Sequence, residues 1–167
     1  MESRLRAGRR AGRLAAAGTA MAVLAGCSDT GVGQLSVELA ATPVARRVAV
    51  PGLPDAVLWN VEYALEIGET ECVDVTLTFV QVDIYEEGLQ VQFGGPDHYD
   101  ADALRAEDAD RLAGCGTPVV VRGFMGSIGA PRPIGPVRVQ VRAVGVDENG
   151  HGVGAEEVLR SALTVAP

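Results

Sequence analysis

From Leu35 onward, apolar and polar residues change places at almost every step. Leu35, Val37 and Leu39 alternate with Ser36 and Glu38, and Val57, Trp59, Val61, Tyr63, Leu65 and Ile67 alternate with Asn60, Glu62 and Glu66. A period of two puts one set of side chains on one face of an extended chain, so each run predicts a β-strand with one buried face. Val73, Val75, Leu77 and Phe79 then share one parity, while Val80, Val82 and Ile84 continue on the other. A slip between Phe79 and Val80 predicts a bulge, or a strand that passes between sheets.

Glu86-Glu87-Gly88 reads as a turn, and Leu89, Val91 and Phe93 resume the alternation, so Ile84 to Phe93 is predicted to be a hairpin. Val119 to Val121 is a continuous apolar run, and Val137, Val139, Val141 and Ala143 alternate with Arg138, Gln140 and Arg142. Asp147-Glu148-Asn149-Gly150 is a turn, and Leu159 to Val165 a last strand or a short helix. The parity places Trp59, Val61, Leu77, Val139 and Val141 in the core.

One segment departs from this period. Asp100 is placed as an N-cap, Asp102 as a first-turn acid, Glu107 and Arg111 as an i,i+4 pair, and Gly114 as the residue after the helix end. These predict one short helix near residues 101–113, lying on the surface because its apolar stripe is little more than Leu104 and Leu112. Seven short strands with turn signals between them predict an all-β, antiparallel β-sandwich filling residues 35–167 as a single domain.

The stretch from Val137 to Gly152, VRVQVRAVGVDENGHG, resembles the penultimate strand and turn of bacterial immunoglobulin-like and fibronectin type III-like domains. Immunoglobulin domains place a tryptophan between their two cysteines, whereas Trp59 precedes Cys72, which leaves a transthyretin-like sandwich open.

The start of the chain follows different rules. Arg4, Arg6, Arg9, Arg10 and Arg13 stand against the single acid Glu2, and Leu14 to Gly26 then carries no charge. A basic region followed by an apolar region of about 13 residues has the order of an export signal. At 1.5 Å per residue that run spans about 20 Å, short of the roughly 30 Å hydrocarbon core. It ends in Leu24-Ala25-Gly26-Cys27, which is similar to the lipobox of bacterial lipoproteins. The resemblance implies that residues 1–26 are a signal peptide, that Cys27 is acylated, and that 27–34 form a short tether to a membrane. The alternatives are an ordinary secretory signal in which Cys27 is incidental, or a buried apolar helix in a cytosolic protein. The expected address is the bacterial cell envelope, with the membrane and another envelope protein as partners.

Export changes how the charge and the cysteines read. The whole chain is formally at −8, but the mature part keeps nine arginines against 21 acids, near −12, and the sequence contains no lysine. So acidic a surface repels nucleic acid, which is not an expected partner. With Cys27 taken by lipid, Cys72 and Cys115 remain as an even pair in an oxidising compartment, and a disulfide is the natural reading, with two buried thiols as the alternative. Closing a loop of that length stabilises by about 4 kcal/mol in the chain-entropy model.

Catalytic chemistry is sparse. His98 and His151 are the two imidazoles, and Ser127 lacks the glycine two residues before it that a nucleophile elbow uses. No phosphate-binding loop, dinucleotide fingerprint or His-Glu-x-x-His motif occurs, and no cofactor is expected. Asp97, Asp100 and Asp102, with His98 between them and Glu107, Asp108 and Asp110 following, are dense enough in oxygen to hold calcium, although Leu104 and Ala106 fall where an EF-hand needs ligands. The alternative is a solvated loop leading into an acidic helix start. Asp147, Glu148, Asn149 and His151 form a second polar group, which with His98 would make a transition-metal site if the two loops met, although a hairpin turn rich in such residues needs no ligand to explain it. Trp59 lies on the core parity of its strand rather than on a sugar-stacking face. The long Gly- and Pro-rich loop from Gly126 to Pro136 suits recognition or simple connection. A lipid-anchored, non-enzymatic sandwich with a structural or partner-binding role leads, ahead of a metal-binding domain and a hydrolase.

Overall fold

A computed structural model describes residues 31–53, 55–87, 91–128, 132–133 and 135–166, so the basic start, the apolar run and Cys27 lie outside the described residues. In chain order the elements are β1 (Leu35–Leu39), β2 (Val44–Ala49), β3 (Val57–Glu69), β4 (Val75–Glu86), β5 (Val91–Gln92), β6 (Asp97–Asp100), α1 (Ala101–Ala106), β7 (Arg111–Leu112), β8 (Val119–Ile128), β9 (Val137–Asp147), β10 (Gly152–Ser161) and β11 (Thr164–Val165). They form the expected two-sheet, all-β architecture with one short helix.

In the first sheet β3 is the spine, pairing antiparallel with β1 and β2 along one side and with β8 along the other. β11 adds in parallel to β2. In the second sheet β4 is the spine, flanked by the β9–β10 hairpin and, on its other side, by β5, β6 and β7. The inward parity of both sheets is apolar and buried: Trp59, Val61, Leu77, Val139 and Val141 all lie in the core, as their alternation predicts. Asn60, Glu62, Arg138 and Gln140 occupy the opposite parity, where water reaches them.

Three features depart from the sequence reading. The phase slip is a bulge, but it sits at Thr78, between Leu77 opposite Gly145 and Phe79 opposite Val144. Phe79 is thereby turned out of the core and stacks on His98, with ring centroids 5.8 Å apart. The helix ends at Ala106 rather than near residue 113. Asp108 takes a left-handed backbone (φ 53) and Ala109 N–H bonds back to Leu104 carbonyl at 2.8 Å, a Schellman ending that folds Ala109 onto Leu104 as buried neighbours. Arg111 therefore belongs to β7 and not to an i,i+4 pair. The final segment is also earlier and longer than expected. β10 begins at Gly152, and the chain breaks after Ser161 to reach the other sheet as β11.

The Ile84 to Phe93 hairpin is present, with Phe93 N–H bonded to Ile84 carbonyl at 2.9 Å, while its turn at Gly88 lies outside the described residues. The first three residues of the loop expected from Gly126 to Pro136 are strand, because β8 continues to Ile128; residues 129–131 and 134 are outside the description. Cys72 and Cys115 form a disulfide with Cα atoms 4.4 Å apart. Among the described residues no helix is long and apolar enough to cross a membrane.

Candidate functional site

The chemistry of the domain concentrates at one end of the sandwich and in one junction between its sheets. At that end β3 finishes, β4 begins, β9 turns into β10, and residues 31–34 lead into β1. Two buried carboxylates organise the meeting point. Glu69, the last residue of β3, accepts backbone N–H bonds from Gln34 at 3.1 Å, Glu71 at 2.7 Å and Val73 at 3.1 Å, and a fourth from Cys115. Burial alone would raise its pKa, but these backbone donors outweigh burial and hold the carboxyl below the usual range. One side chain thus ties the segment entering β1, the β3–β4 connection and the disulfide together.

Asp147 repeats the device at the β9–β10 turn. It accepts from Asn149 N–H at 3.0 Å, His151 N–H at 2.8 Å, Gly33 N–H at 3.2 Å and His151 Nδ1 at 3.1 Å. Again burial pushes the pKa up and the bonds from His151 and Gly33 bring it below the ordinary value. Asn149 Nδ2 donates to Gly31 carbonyl at 2.7 Å. The polar group read from Asp147 to His151 is therefore a clamp on Gly31 and Gly33.

The second constellation was not legible in the sequence. Tyr63 on β3 donates its hydroxyl to Asp97 Oδ2 at 2.6 Å, the Tyr99 hydroxyl lies 2.9 Å from the same oxygen, and the two phenols are 3.0 Å apart. The Tyr99 hydroxyl is also 3.0 Å from the Arg122 carbonyl. Tyr63 and Arg122 belong to one sheet, Asp97 and Tyr99 to the other, so the cluster joins the two layers along their open side. Burial, then the bonds to Asp97 and Tyr99, keep the Tyr63 phenol protonated far above its usual range; burial leads in pushing Tyr99 up to about 12. Gly123 makes room for it: a Cβ there would collide with the Tyr99 hydroxyl and lie 2.6 Å from Asp97 Oδ2.

The predicted acidic segment is not gathered around one point. Asp97 faces the tyrosines; Asp100 caps α1 by accepting from Asp102 N–H at 3.1 Å and Ala103 N–H at 2.9 Å; Asp102 points to solvent and pairs with Arg105 at 3.0 Å. Among the described residues no three His, Cys, Asp or Glu side chains converge as a metal site. The two histidines are not brought together either. His98 lies opposite Gln81, six positions along β4 from Val75, which sits beside Asp147; that is roughly 20 Å of strand. Ser127 pairs with Trp59 in the other sheet, and Trp59 is buried in the core.

No family model and no curated protein matches the chain. Among solved structures it is similar to a Bordetella pertussis protein assigned as ApaA, at 14% identity over 78% of this chain and 94% of that one, with a TM-score of 0.46. It is also similar to structural-genomics target SoR45, at 10% identity over 78% and 85% of the two chains and a TM-score of 0.44. The sporulation control protein Spo0M of Bacillus subtilis matches at 7% identity over 81% of this chain and 50% of that chain, with a TM-score of 0.25. At these identities and scores the likeness assigns neither a family nor an activity.

Proposed function

We propose that this is a lipid-anchored protein of the bacterial cell envelope, whose β-sandwich acts without catalysis as a structural or partner-binding module. The observation that carries the reading is the order of features at the start of the chain: five arginines, an uncharged apolar run, and Leu24-Ala25-Gly26-Cys27. Two or three acyl chains on Cys27, at about 0.8 kcal/mol per buried CH₂, hold a protein of this size on a bilayer without further help. The clamp on Gly31 and Gly33 supports the reading, because a domain carried on a short tether needs a fixed point of attachment.

A non-catalytic role is supported by the use of the polar groups. Asp147 and His151 secure the tether, Asp97 and two tyrosines join the sheets, and His98 stacks on Phe79. Each has a structural partner that accounts for it. The test is fractionation of cells expressing the full chain and its Cys27→Ala variant, with fatty-acid labelling. The wild type is expected in the membrane fraction carrying label; the variant is expected unlabelled and released. Label retained by the variant refutes acylation at this residue.

A further inference from the structure

We infer that the end of the sandwich holding the Cys72–Cys115 bond and the Asp147–His151 turn lies next to the headgroup layer of the membrane, while the opposite end stands away from it. The inference rests on acylation of Cys27 and adds an orientation to it.

Residues 31–35 are fixed to the body of the domain. Gly31 carbonyl is held by Asn149, Gly33 N–H by buried Asp147, Gln34 N–H by Glu69, and Leu35 opens the ladder with β3. Only Ser28, Asp29 and Thr30 separate Cys27 from Gly31, and four consecutive Cα–Cα steps reach at most about 15 Å. The strands run away from this point: β3 has 13 residues and β4 has 12, which carries their far ends about 40 Å further.

A short tether at one end does not by itself stop the domain from lying on its side; charge does. The mature chain is near −12, and anionic headgroups repel it. Asp74 and Glu148 are exposed at the tethered end itself, so the tether, and not adhesion, keeps that end close. With one end held and the rest repelled, the long axis is driven toward the membrane normal. What then faces outward is the end formed by the β2–β3 connection, the β4–β5 hairpin and the approach to β9. Leu53 is exposed there, on the β2–β3 connection, whose Leu53 N–H bonds to Val50 carbonyl at 3.1 Å.

The experiment places one fluorophore at each end of the acylated full-length protein, through Glu148→Cys or Leu53→Cys. Each protein is inserted from detergent into phosphatidylethanolamine–phosphatidylglycerol vesicles carrying a headgroup-bound quencher. The label at 148 is expected to lose most of its emission and the label at 53 to keep nearly all of it, with the contrast shrinking at high salt. Equal quenching at both sites on vesicles that carry the protein overturns the orientation alone. Failure of the protein to float with vesicles overturns the acylation reading and this inference with it. In a third variant, about twenty Gly and Ser residues are inserted between Thr30 and Gly31, which gives a flexible coil long enough to release the end. Flotation should persist while quenching at 148 is lost; quenching that survives overturns the tether argument in favour of direct headgroup binding.

Discussion

At the scale of single residues, the junction between the sheets depends on a missing side chain. Gly123 is placed where a Cβ would strike the Tyr99 hydroxyl and crowd Tyr63 and Asp97, so Gly123→Ala forces the hydrogen-bonded cluster apart. Overpacking of this kind costs about 2 kcal/mol, which lowers the melting temperature by roughly 8 °C. A melt unchanged from wild type would contradict the placement. The same cluster makes an alkaline prediction. Tyr63 and Tyr99 have folded-state pKa values above the unfolded value, with Tyr99 at about 12. The unfolded chain therefore releases these protons first, and the stability they contribute is intact below about pH 10 and is lost as pH rises toward 12 and beyond. Tyr63→Phe is expected to be less stable at neutral pH, by about 1 kcal/mol for the lost hydrogen bond, but to lose less stability between pH 10 and 12 than the wild type. Parallel losses in both proteins would remove Tyr63 from that account. Nothing in the sequence joins Tyr63 to Asp97, because the contact depends on how two sheets stack and not on any local period.

At the scale of elements, the alternation carried most of the architecture. The β3 core set from Trp59 to Ile67 is buried as its parity requires, because pairing in register transmits a local period of two to a whole face. The parity also revealed a slip in β4, but not its position, since a slip placed at Thr78 or after Phe79 leaves the same flanking sets. The bulge at Thr78 settles it and yields a sharp expectation. Deleting Thr78 places Leu77 opposite Gly145 and Phe79 opposite Val144 without interruption, so every buried residue keeps its side. Deleting Val82 instead reverses the parity of one half of β4 and drives Gln81 or Asp83 inward. The Thr78 deletion is expected to fold with a cooperative melt and the Val82 deletion to be unfolded, as read by circular dichroism; equal outcomes would contradict the register. β2 was missed because Val44-Ala-Arg-Arg-Val-Ala49 has no clean alternation, and its place is set by β3 beside it. The helix was read too long for a related reason: its stop is Asp108 in a left-handed backbone, where a glycine is the usual signal.

For the molecule as a whole, the disulfide and the clamp on Gly31 and Gly33 act on one end. The 43-position separation predicts about 4 kcal/mol from restricting the unfolded chain. Both half-cystines have left-handed backbones, φ 60 at Cys72 and 55 at Cys115, and such conformations cost about 1 kcal/mol or more each where the bond enforces them. Reduction is therefore expected to lower stability by about 2 kcal/mol at most, short of the full entropic figure. A denaturant titration with and without a dithiol reads this directly, and an unchanged midpoint would mean that the bond adds nothing. The Cys72–Cys115 pairing was legible because only two cysteines remain once Cys27 is set aside. The role of Asp147, Asn149 and His151 was not, because a turn rich in such residues looks the same whether or not a distant segment docks on it. The central claim is acylation at Cys27, and it is tested most directly by the intact mass of the non-reduced protein extracted from membranes. The account predicts a chain beginning at Cys27, carrying the added mass of a diacylglyceryl group with or without a further acyl chain. A chain that still begins at Met1, or one that begins at Cys27 without acyl mass, would contradict it.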